Sequence, residues 1–353
     1  MKKRLLLLAM LAAAGGAHGQ ATNVRLFGTV DAYAGSLQYS GQKKVTVANS
    51  GGMTTSFFGL EGSEDLGGGL KADFHISGFF RGDTGASGRF DSPAPGVAGD
   101  AFLSRGAWVG LGSPYGSVKL GRQGTATFIT MLRTSAFADS SVFNPAFVHT
   151  WVGGQPMPTP LSSAADNIWS NMVSYTSPNF AGSTVMLQYA AGENAKTADG
   201  GNARYAASYF FANKDINASV SYEKVASALI PAGPAAQNSF ATLQVAGSYD
   251  FGLLKLSAGH LRTKQDLATA ADKTFKTSHI GANIPAGPGS VLVQVGQTNI
   301  QQAGVKDLKR TTITAGYDYI LSKRTDLYFV YMNDKITELN TGTTAVIGIR
   351  HRF

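Results

Sequence analysis

Apolar and polar residues alternate with a period of two over most of this chain, and the stretches joining the alternating runs are themselves short and long by turns. In 311–319 the odd positions Ile313, Ala315, Tyr317 and Tyr319 are apolar or aromatic, while Thr312, Thr314 and Asp318 are polar. Ile216, Ala218, Val220 and Tyr222 alternate with Asn217, Ser219, Ser221 and Glu223. Ala241, Leu243, Val245 and Tyr249 alternate with Thr242, Gln244, Ser248 and Asp250, and 184–189, 279–284 and 345–353 repeat the pattern. Successive side chains of a strand point to opposite faces, so each run is a strand with one apolar and one polar face.

The connections decide where the apolar faces go. Tight turns fall at Leu66–Gly69, Ser113–Gly116, Ser177–Gly182, Asn213–Asp215, Asp250–Gly252, Pro285–Ser290 and Leu321–Arg324. Longer polar or small-residue loops fall near 36–50, 81–100, 124–167, 192–202, 227–238, 264–275, 300–309 and 333–342. Seven short turns and eight long loops predict sixteen strands, with short turns at one end and long loops at the other, which is how outer-membrane barrels are built. A soluble β-sandwich also alternates. Strict alternation of turn lengths, tyrosines near the ends of apolar stripes (Tyr189, Tyr249, Tyr317, Tyr319, Tyr331) and a final strand ending on Phe353 favour the barrel. In lipid no backbone group can stay unpaired, so a spanning sheet must close on itself. No run of 18 apolar residues offers a transmembrane helix instead.

The N-terminus predicts export. Lys2, Lys3 and Arg4 precede the apolar stretch Leu5–Ala14, and Ala17-His-Gly19 follows as a small-x-small cleavage site. The pattern is that of a secretion signal over residues 1–19, leaving a barrel domain over 20–353 that starts at Gln20. Its removal lowers the formal charge from +8 to +5. That excess contains no basic run of the kind that tracks nucleic acid, so no nucleic-acid partner is expected. The absence of cysteine excludes disulfides and thiolate metal sites.

Several segments resemble the general diffusion porins of the Gram-negative outer membrane, particularly those of beta-proteobacteria. They are Arg25-Leu-Phe-Gly-Thr-Val-Asp-Ala-Tyr33, Phe58-Gly-Leu-Glu-Gly-Ser-Glu-Asp-Leu66, Arg105-Gly-Ala-Trp-Val-Gly-Leu111 with Tyr115-Gly-Ser-Val-Lys-Leu-Gly-Arg-Gln123, Asn171–Phe180 and Gly348-Ile-Arg-His-Arg-Phe353. They follow the family's order across nearly the whole mature chain. The resemblance implies a homotrimer of 16-stranded antiparallel transmembrane barrels set in outer-membrane lipid and lipopolysaccharide. It implies a water-filled pore for small hydrophilic solutes and ions, and a third long loop folded into the lumen. Here that loop is about 124–167. A connection of this length without a helix of its own is usually functional, and Trp151, Pro156, Pro158 and Pro160 suit an ordered loop.

Selectivity in such a pore comes from its diameter and from charge at the narrowest point. By resemblance, Arg105 matches a basic wall residue, Asp73 a lumen carboxylate, and Arg122 the arginine beside the third loop. Lys71 and His75 share the parity of Asp73 and are expected to face water. Arg133, Asp139 and Asp166 fall on or near the loop. Two departures thin the family's arginine cluster: Phe57 stands where many members carry arginine, and the loop has no Pro-Glu-Phe-Gly. The expectation is weak selectivity, leaning to anions because the mature chain is basic. Phe353, with Ile347 and Ile349, resembles the C-terminal signal read by the barrel-assembly machinery.

Other chemistry finds little support. None of the six histidines has metal-ligand spacing to another histidine or to a carboxylate, and there is no Gly-x-Ser-x-Gly. Neither catalysis nor a cofactor is expected. The rival is a substrate-specific channel with a saturable site at the constriction, for which Phe143, Phe147 and Trp151 could supply an aromatic surface or could instead pin the loop to the wall.

Overall fold

A computed structural model describes residues 23–89, 100–150, 167–192, 203–226, 237–268 and 270–353. The proposed export signal, Asp166 and Trp151 lie outside them. Every strand pairs antiparallel with its neighbours, and β1 (Asn23–Leu37) pairs with β17 (Gly342–Arg352), so the sheet closes with no free edge. Among the described residues, seventeen strands fill sixteen positions around the barrel. The extra one arises because β2 (Val45–Ser50) and β3 (Phe57–Gly67) share a position. The first pairs with Ala32–Leu37 and the second with Asn23–Thr29, both on β1. Residues 45–50, expected in a loop, are therefore strand. What interrupts this position is the turn 51–56, held by the buried Asp31, whose carboxylate accepts the amides of Gly52, Met53 and Thr54 at 2.9, 3.0 and 2.9 Å.

The remaining strands run β4 (Leu70–Phe79), β5 (Gly106–Ser113), β6 (Gly116–Gly124), β7 (Ile168–Thr176), β8 (Ser183–Ala190), β9 (Arg204–Ala212), β10 (Ile216–Val225), β11 (Gln237–Asp250), β12 (Lys255–Leu267), β13 (Lys273–Ala286), β14 (Gly289–Gln302), β15 (Leu308–Ile320) and β16 (Thr325–Ile336). Several extend into segments expected as loops, because hydrogen bonding to a neighbour keeps polar residues in the ladder past the apolar stripe. The turn from β3 to β4 shows why tight connections are glycine-rich. Gly67, Gly68 and Gly69 have φ of 79°, 62° and 81°, a left-handed run that only glycine adopts without steric cost.

The alternation partitions as the sequence predicts. Val220, Tyr222, Leu243, Val245, Ile313, Phe329, Ile347 and Ile349 are exposed, while Ser219, Ser221, Thr242, Gln244, Thr312, Thr314 and Thr344 between them are buried or nearly so. This is the reverse of a soluble protein: the exposed stripe is apolar and the enclosed one polar. Tyr189, Tyr249, Tyr319 and Tyr331 lie on the exposed face. Tyr317 is half-buried and donates its hydroxyl to the Ala286 carbonyl at 2.8 Å.

The third connection contains helices that the sequence reading did not assign. α1 (Ala126–Arg133) starts at Thr125, whose hydroxyl accepts the Phe128 amide, and α2 (Pro145–Thr150) follows after a run of turns. The local signal was present: a Thr N-cap followed by apolar Phe128, Ile129, Met131 and Leu132 at helical spacing. It was masked because the helix spans only about two turns within a glycine- and proline-rich stretch.

Candidate pore lining

The described part of the third connection lies against the polar stripe of many strands. The Ala126 amide donates to Gln188 on β8 at 2.8 Å, and the Thr127 hydroxyl donates to the Glu223 carboxylate on β10. Ser135 donates to Gln294 on β14 at 2.9 Å, and the Phe137 amide reaches the same oxygen at 3.3 Å. The ring nitrogens of His149 lie 2.9 Å from the Thr298 hydroxyl and 2.7 Å from that of Thr312. Arg310 donates to the Val148 carbonyl at 3.3 Å, and Tyr39, just past the end of β1, donates to the Val142 carbonyl at 3.1 Å. Apolar contacts reinforce the attachment. Phe137, Val142, Phe143 and Val148 pack with Tyr33, Tyr39, Leu292, Tyr328 and Val330, while Met131, Ala146 and Phe147 pack with Trp169, Ala206 and Phe240. Phe143 is fully buried and Phe147 nearly so. Both pin the connection to the wall and offer no aromatic surface to a solute.

Two charge systems line the polar stripe. The first is buried. Arg310 and Asp334 form a bidentate pair at 2.9 and 3.0 Å, at 1% and 0% side-chain exposure. Thr312 donates to the same carboxylate at 2.5 Å. At the opposite end of β16, Arg350 pairs with Asp326 and Asp318, each at 3.0 Å, and Arg352 pairs with Asp326 at 2.6 Å. The Thr54 hydroxyl accepts from Arg350 at 3.0 Å and donates to Asp139 at 3.2 Å, linking wall to loop. Burial pushes the Asp139 carboxyl above the usual range, against the pull of Arg350 and Arg105. Burial and the neighbouring Arg310 guanidinium hold the His149 imidazole well below its ordinary range.

The second system crosses β1 and β3–β6. Arg25 bonds Glu61, whose other oxygen lies 3.5 Å from the His75 ring. His75 stacks parallel on Trp108 with ring centroids 5.6 Å apart, and the Lys119 ammonium sits 3.9 Å from the centre of the Trp108 ring. The Arg105 guanidinium lies 3.8 Å from the centre of the Phe57 ring. Phe57, which departs from the family's arginine, therefore gives Arg105 a flat apolar seat, an arrangement worth about 0.5–2 kcal/mol.

The sequence-derived residues divide accordingly. Lys71, Asp73 and His75 alternate with Leu70, Phe74 and Ile76, and so share the polar stripe of β4. Arg105 stands at the foot of β5 among Phe27, Phe57 and Asp139. Arg133 ends α1, with its guanidinium 4.7 Å from the Phe210 ring on the polar stripe of β9. Arg122 is placed differently. It falls on the parity of the exposed Val118 and Leu120, and it ties the Ser104 carbonyl at 2.7 Å to the Ser170 hydroxyl at 2.9 Å. Phe353 closes the seam: its amide and carbonyl exchange bonds of 3.1 Å with Gly28. Asp31, Thr54, Glu61, Lys119, Glu223, Arg310, Asp318, Asp326, Asp334 and Arg350 join the lining without being nominated by motif or resemblance. All but Thr54, which lies in the turn 51–56, have the polar-stripe parity of their strands, so parity alone points to them.

Comparison with known proteins agrees with this geometry. The Gram-negative porin family matches residues 6–338. Outer membrane porin protein 32 of Delftia acidovorans is 34% identical, with both chains covered in full. The solved structure of an anion-selective porin from Comamonas acidovorans superposes with a TM-score of 0.72 at 29% identity, over 94% of this chain and all of that one. The trimer form of OmpT from Vibrio cholerae shares the fold with a TM-score of 0.69 at 13% identity, over 94% of this chain. A closed barrel with an apolar outer face, a charged polar stripe within and this family match identify the chain as a Gram-negative porin, a channel of the outer membrane for the passive diffusion of small hydrophilic solutes.

Proposed function

We propose that the pore is a general one, narrowed by the third connection and leaning weakly toward anions. The narrowing is supported by the hydrogen bonds that α1, α2 and the turns between them make to polar-stripe residues on β8, β10, β14 and β15. The anion preference is carried by one observation: Lys71 on β4, Lys119 on β6 and Arg105 just before β5, beside Phe27 and Phe57, outnumber Glu61 and Asp73. The anion-selective Comamonas structure is consistent with it. In this reading Arg133 and Asp139 lie along the narrowed stretch, Asp166 belongs with them by its position in the sequence, and Arg122 braces the base of the connection.

The reversal potential of the purified protein across a planar bilayer in a salt gradient tests this proposal. A permeability ratio modestly favouring chloride over potassium is expected, together with conductance that rises in proportion to salt. A clear cation preference would refute it. Saturable block by a small organic solute would instead favour a substrate-specific channel, a reading weakened by the burial of Phe143 and Phe147. The barrel is further proposed to assemble as a homotrimer, as the trimer form of OmpT does, and to be delivered by the barrel-assembly machinery through Phe353. The half-exposed ring of Phe353 and the outward Ile347 and Ile349 support that last role.

A further inference from the structure

Strand β14 meets the third connection along most of its inner face. Its inward residues include Leu292, Gln294, Gly296 and Thr298. Leu292 packs with Phe137 and Phe143. The Gln294 side-chain oxygen accepts from the Ser135 hydroxyl and the Phe137 amide, and its nitrogen donates to the Asn144 side-chain oxygen at 3.0 Å. The Thr298 hydroxyl lies 2.9 Å from the His149 ring. Gly296 stands between these two anchors, and there Pro145, the first residue of α2, rests on the wall. A Cβ placed on Gly296 would lie 2.6 Å from the Pro145 Cβ, and its three nearest neighbours would all be atoms of Pro145.

A second such contact lies diagonally across Gln294. Gly281 on β13 is the register partner of Gln294. A Cβ placed on Gly281 would lie 2.9 Å from the Ala136 Cβ. Asn283, two residues farther along the same face, donates to the Ala136 carbonyl at 3.3 Å. Neither glycine has the left-handed φ that would call for glycine on backbone grounds. What both positions use is the missing side chain.

Carbon atoms in contact settle about 3.5–4.0 Å apart, so a methyl group at Gly296 demands a shift of about 1 Å. The wall is poorly placed to give way, because β13 and β14 are hydrogen-bonded along both edges in a closed sheet. The connection is held by separate side-chain bonds and has open space only toward the lumen, so it is the part that moves.

We propose that Gly281 and Gly296 are size-determining residues of the pore. Two notches in the wall let the third connection seat deeply, and their depth sets the width of the passage left beside it. The inference rests on the reading that this connection narrows the lumen. It also separates two properties of the channel: width is set on β13 and β14, and ion preference by the charges of β1 and β3–β6.

The test uses the full mature protein in planar bilayers and in liposomes. G296A should lower single-channel conductance by roughly a fifth with steady current, because flux follows the diameter of the narrowest point. Liposome swelling in raffinose relative to arabinose should fall by roughly a factor of two, with the chloride-to-potassium ratio unchanged, because no charge is altered. G281A should act in the same direction, and A136G/G281A should restore the parent, since it removes the atom that the new methyl group meets. G112A adds a methyl group to the same face of β5, where the nearest atom is an Asp73 carboxylate oxygen at 3.8 Å, and should match the parent. If G296A fails to insert, G281A and its rescue decide. Parental conductance and sugar cut-off in the glycine variants would overturn the proposal. So would larger, noisier currents, which signal a detached connection, or failure of A136G to restore G281A. A cysteine pair keeps failure of the underlying reading apart. The Thr55 and Ser141 hydroxyls lie 3.4 Å apart, and the chain has no cysteine. T55C/S141C should therefore form a disulfide with copper phenanthroline, detected by peptide mass. A disulfide with unchanged glycine variants would overturn the notches alone; no disulfide would overturn the inward seat of the connection and the notches with it.

Discussion

The two sides of the pore handle charge in opposite ways. On β14–β17 the arginines are sealed against carboxylates: Arg310 with Asp334 at 1% and 0% side-chain exposure, and Arg350 with Asp326 at 9% and 5%. On β1 and β3–β6 the charges sit on rings or at the water's edge: Arg105 over Phe57, Lys119 over Trp108, and Arg25 with Glu61 at 69% and 35% exposure. A buried ion must be neutralised nearby because desolvation costs several kcal/mol per ion. Such pairs cancel and contribute little field to the lumen. Charges beside water need no partner and keep their field. In the proposed reading, one wall holds the third connection and the other sets what the pore prefers.

The sharpest way to break this division is to remove one partner of the sealed side. Asp334→Ala leaves the Arg310 guanidinium buried and unpaired and also removes the acceptor of Thr312. Breaking such a pair typically costs about 3–5 kcal/mol. Arg310 also bonds the Val148 carbonyl on α2, so the attachment of the connection should weaken together with the barrel. The expected outcome is a lower urea midpoint for refolded protein in lipid, with larger and noisier single-channel currents. A variant of parental stability and steady conductance would show that the pair does not hold the connection.

Much of this division was legible in the sequence and part was not, for a physical reason. Strand number, the faces of the strands and the parity of Lys71, Asp73 and His75 follow from local alternation, since each strand declares which residues face lipid. Contacts between elements far apart in sequence leave no such trace. Arg310 and Asp334 are each recognisable as inward-facing, yet only the register of β15 against β16 brings them together. The turn 51–56 illustrates the same limit: Asp31 was seen as part of a family motif, but its role in gathering three amides depends on β1 and β2 meeting. Arg122 shows what a shared motif and parity each leave open. The motif suggests the pore, while the register of β6 against β7 shifts between Gly121 and Gln123, and the guanidinium bonds Ser104 and Ser170.

Acid probes the sealed side more gently. The His149 imidazole is neutral, held below its ordinary range by burial first and by Arg310 second, with Asp334 opposing and His279 adding to the depression. When the connection is released, the imidazole returns to an ordinary value of about 6.5. Below that value the released state takes up a proton that the attached state refuses, so attachment weakens as pH falls, by up to about 1.4 kcal/mol per pH unit. Asp139 acts with the opposite sign, because its raised carboxyl favours the attached state as it protonates. His149→Gln separates the two, since glutamine can still bond the threonine hydroxyls but does not titrate. Current noise that rises between pH 7 and pH 5 in the parent, and less in the variant, is expected. Identical pH profiles would remove His149 from the account.

The smallest expected effect tests the open side, and it is a change of preference with the barrel intact. Arg105→Gln removes a cation seated on Phe57 while leaving every ion pair of the sealed wall in place. A unit charge about 4 Å away in water is worth about 1 kcal/mol, and a permeating ion passes farther off. The chloride-to-potassium permeability ratio should therefore fall by roughly a factor of two, or about 0.4 kcal/mol. Screening shortens the reach of the charge to about 10 Å at 0.1 M salt and 3 Å at 1 M, so the difference between parent and variant should shrink as salt rises. Arg350→Gln is the matched control, because its charge is already cancelled by Asp326 and Asp318. Its removal should lower stability and, by uncovering those carboxylates, shift selectivity at low and high salt alike. If instead the two variants moved the ratio equally and with the same salt dependence, pairing would not distinguish the walls, and the preference would belong to total charge alone.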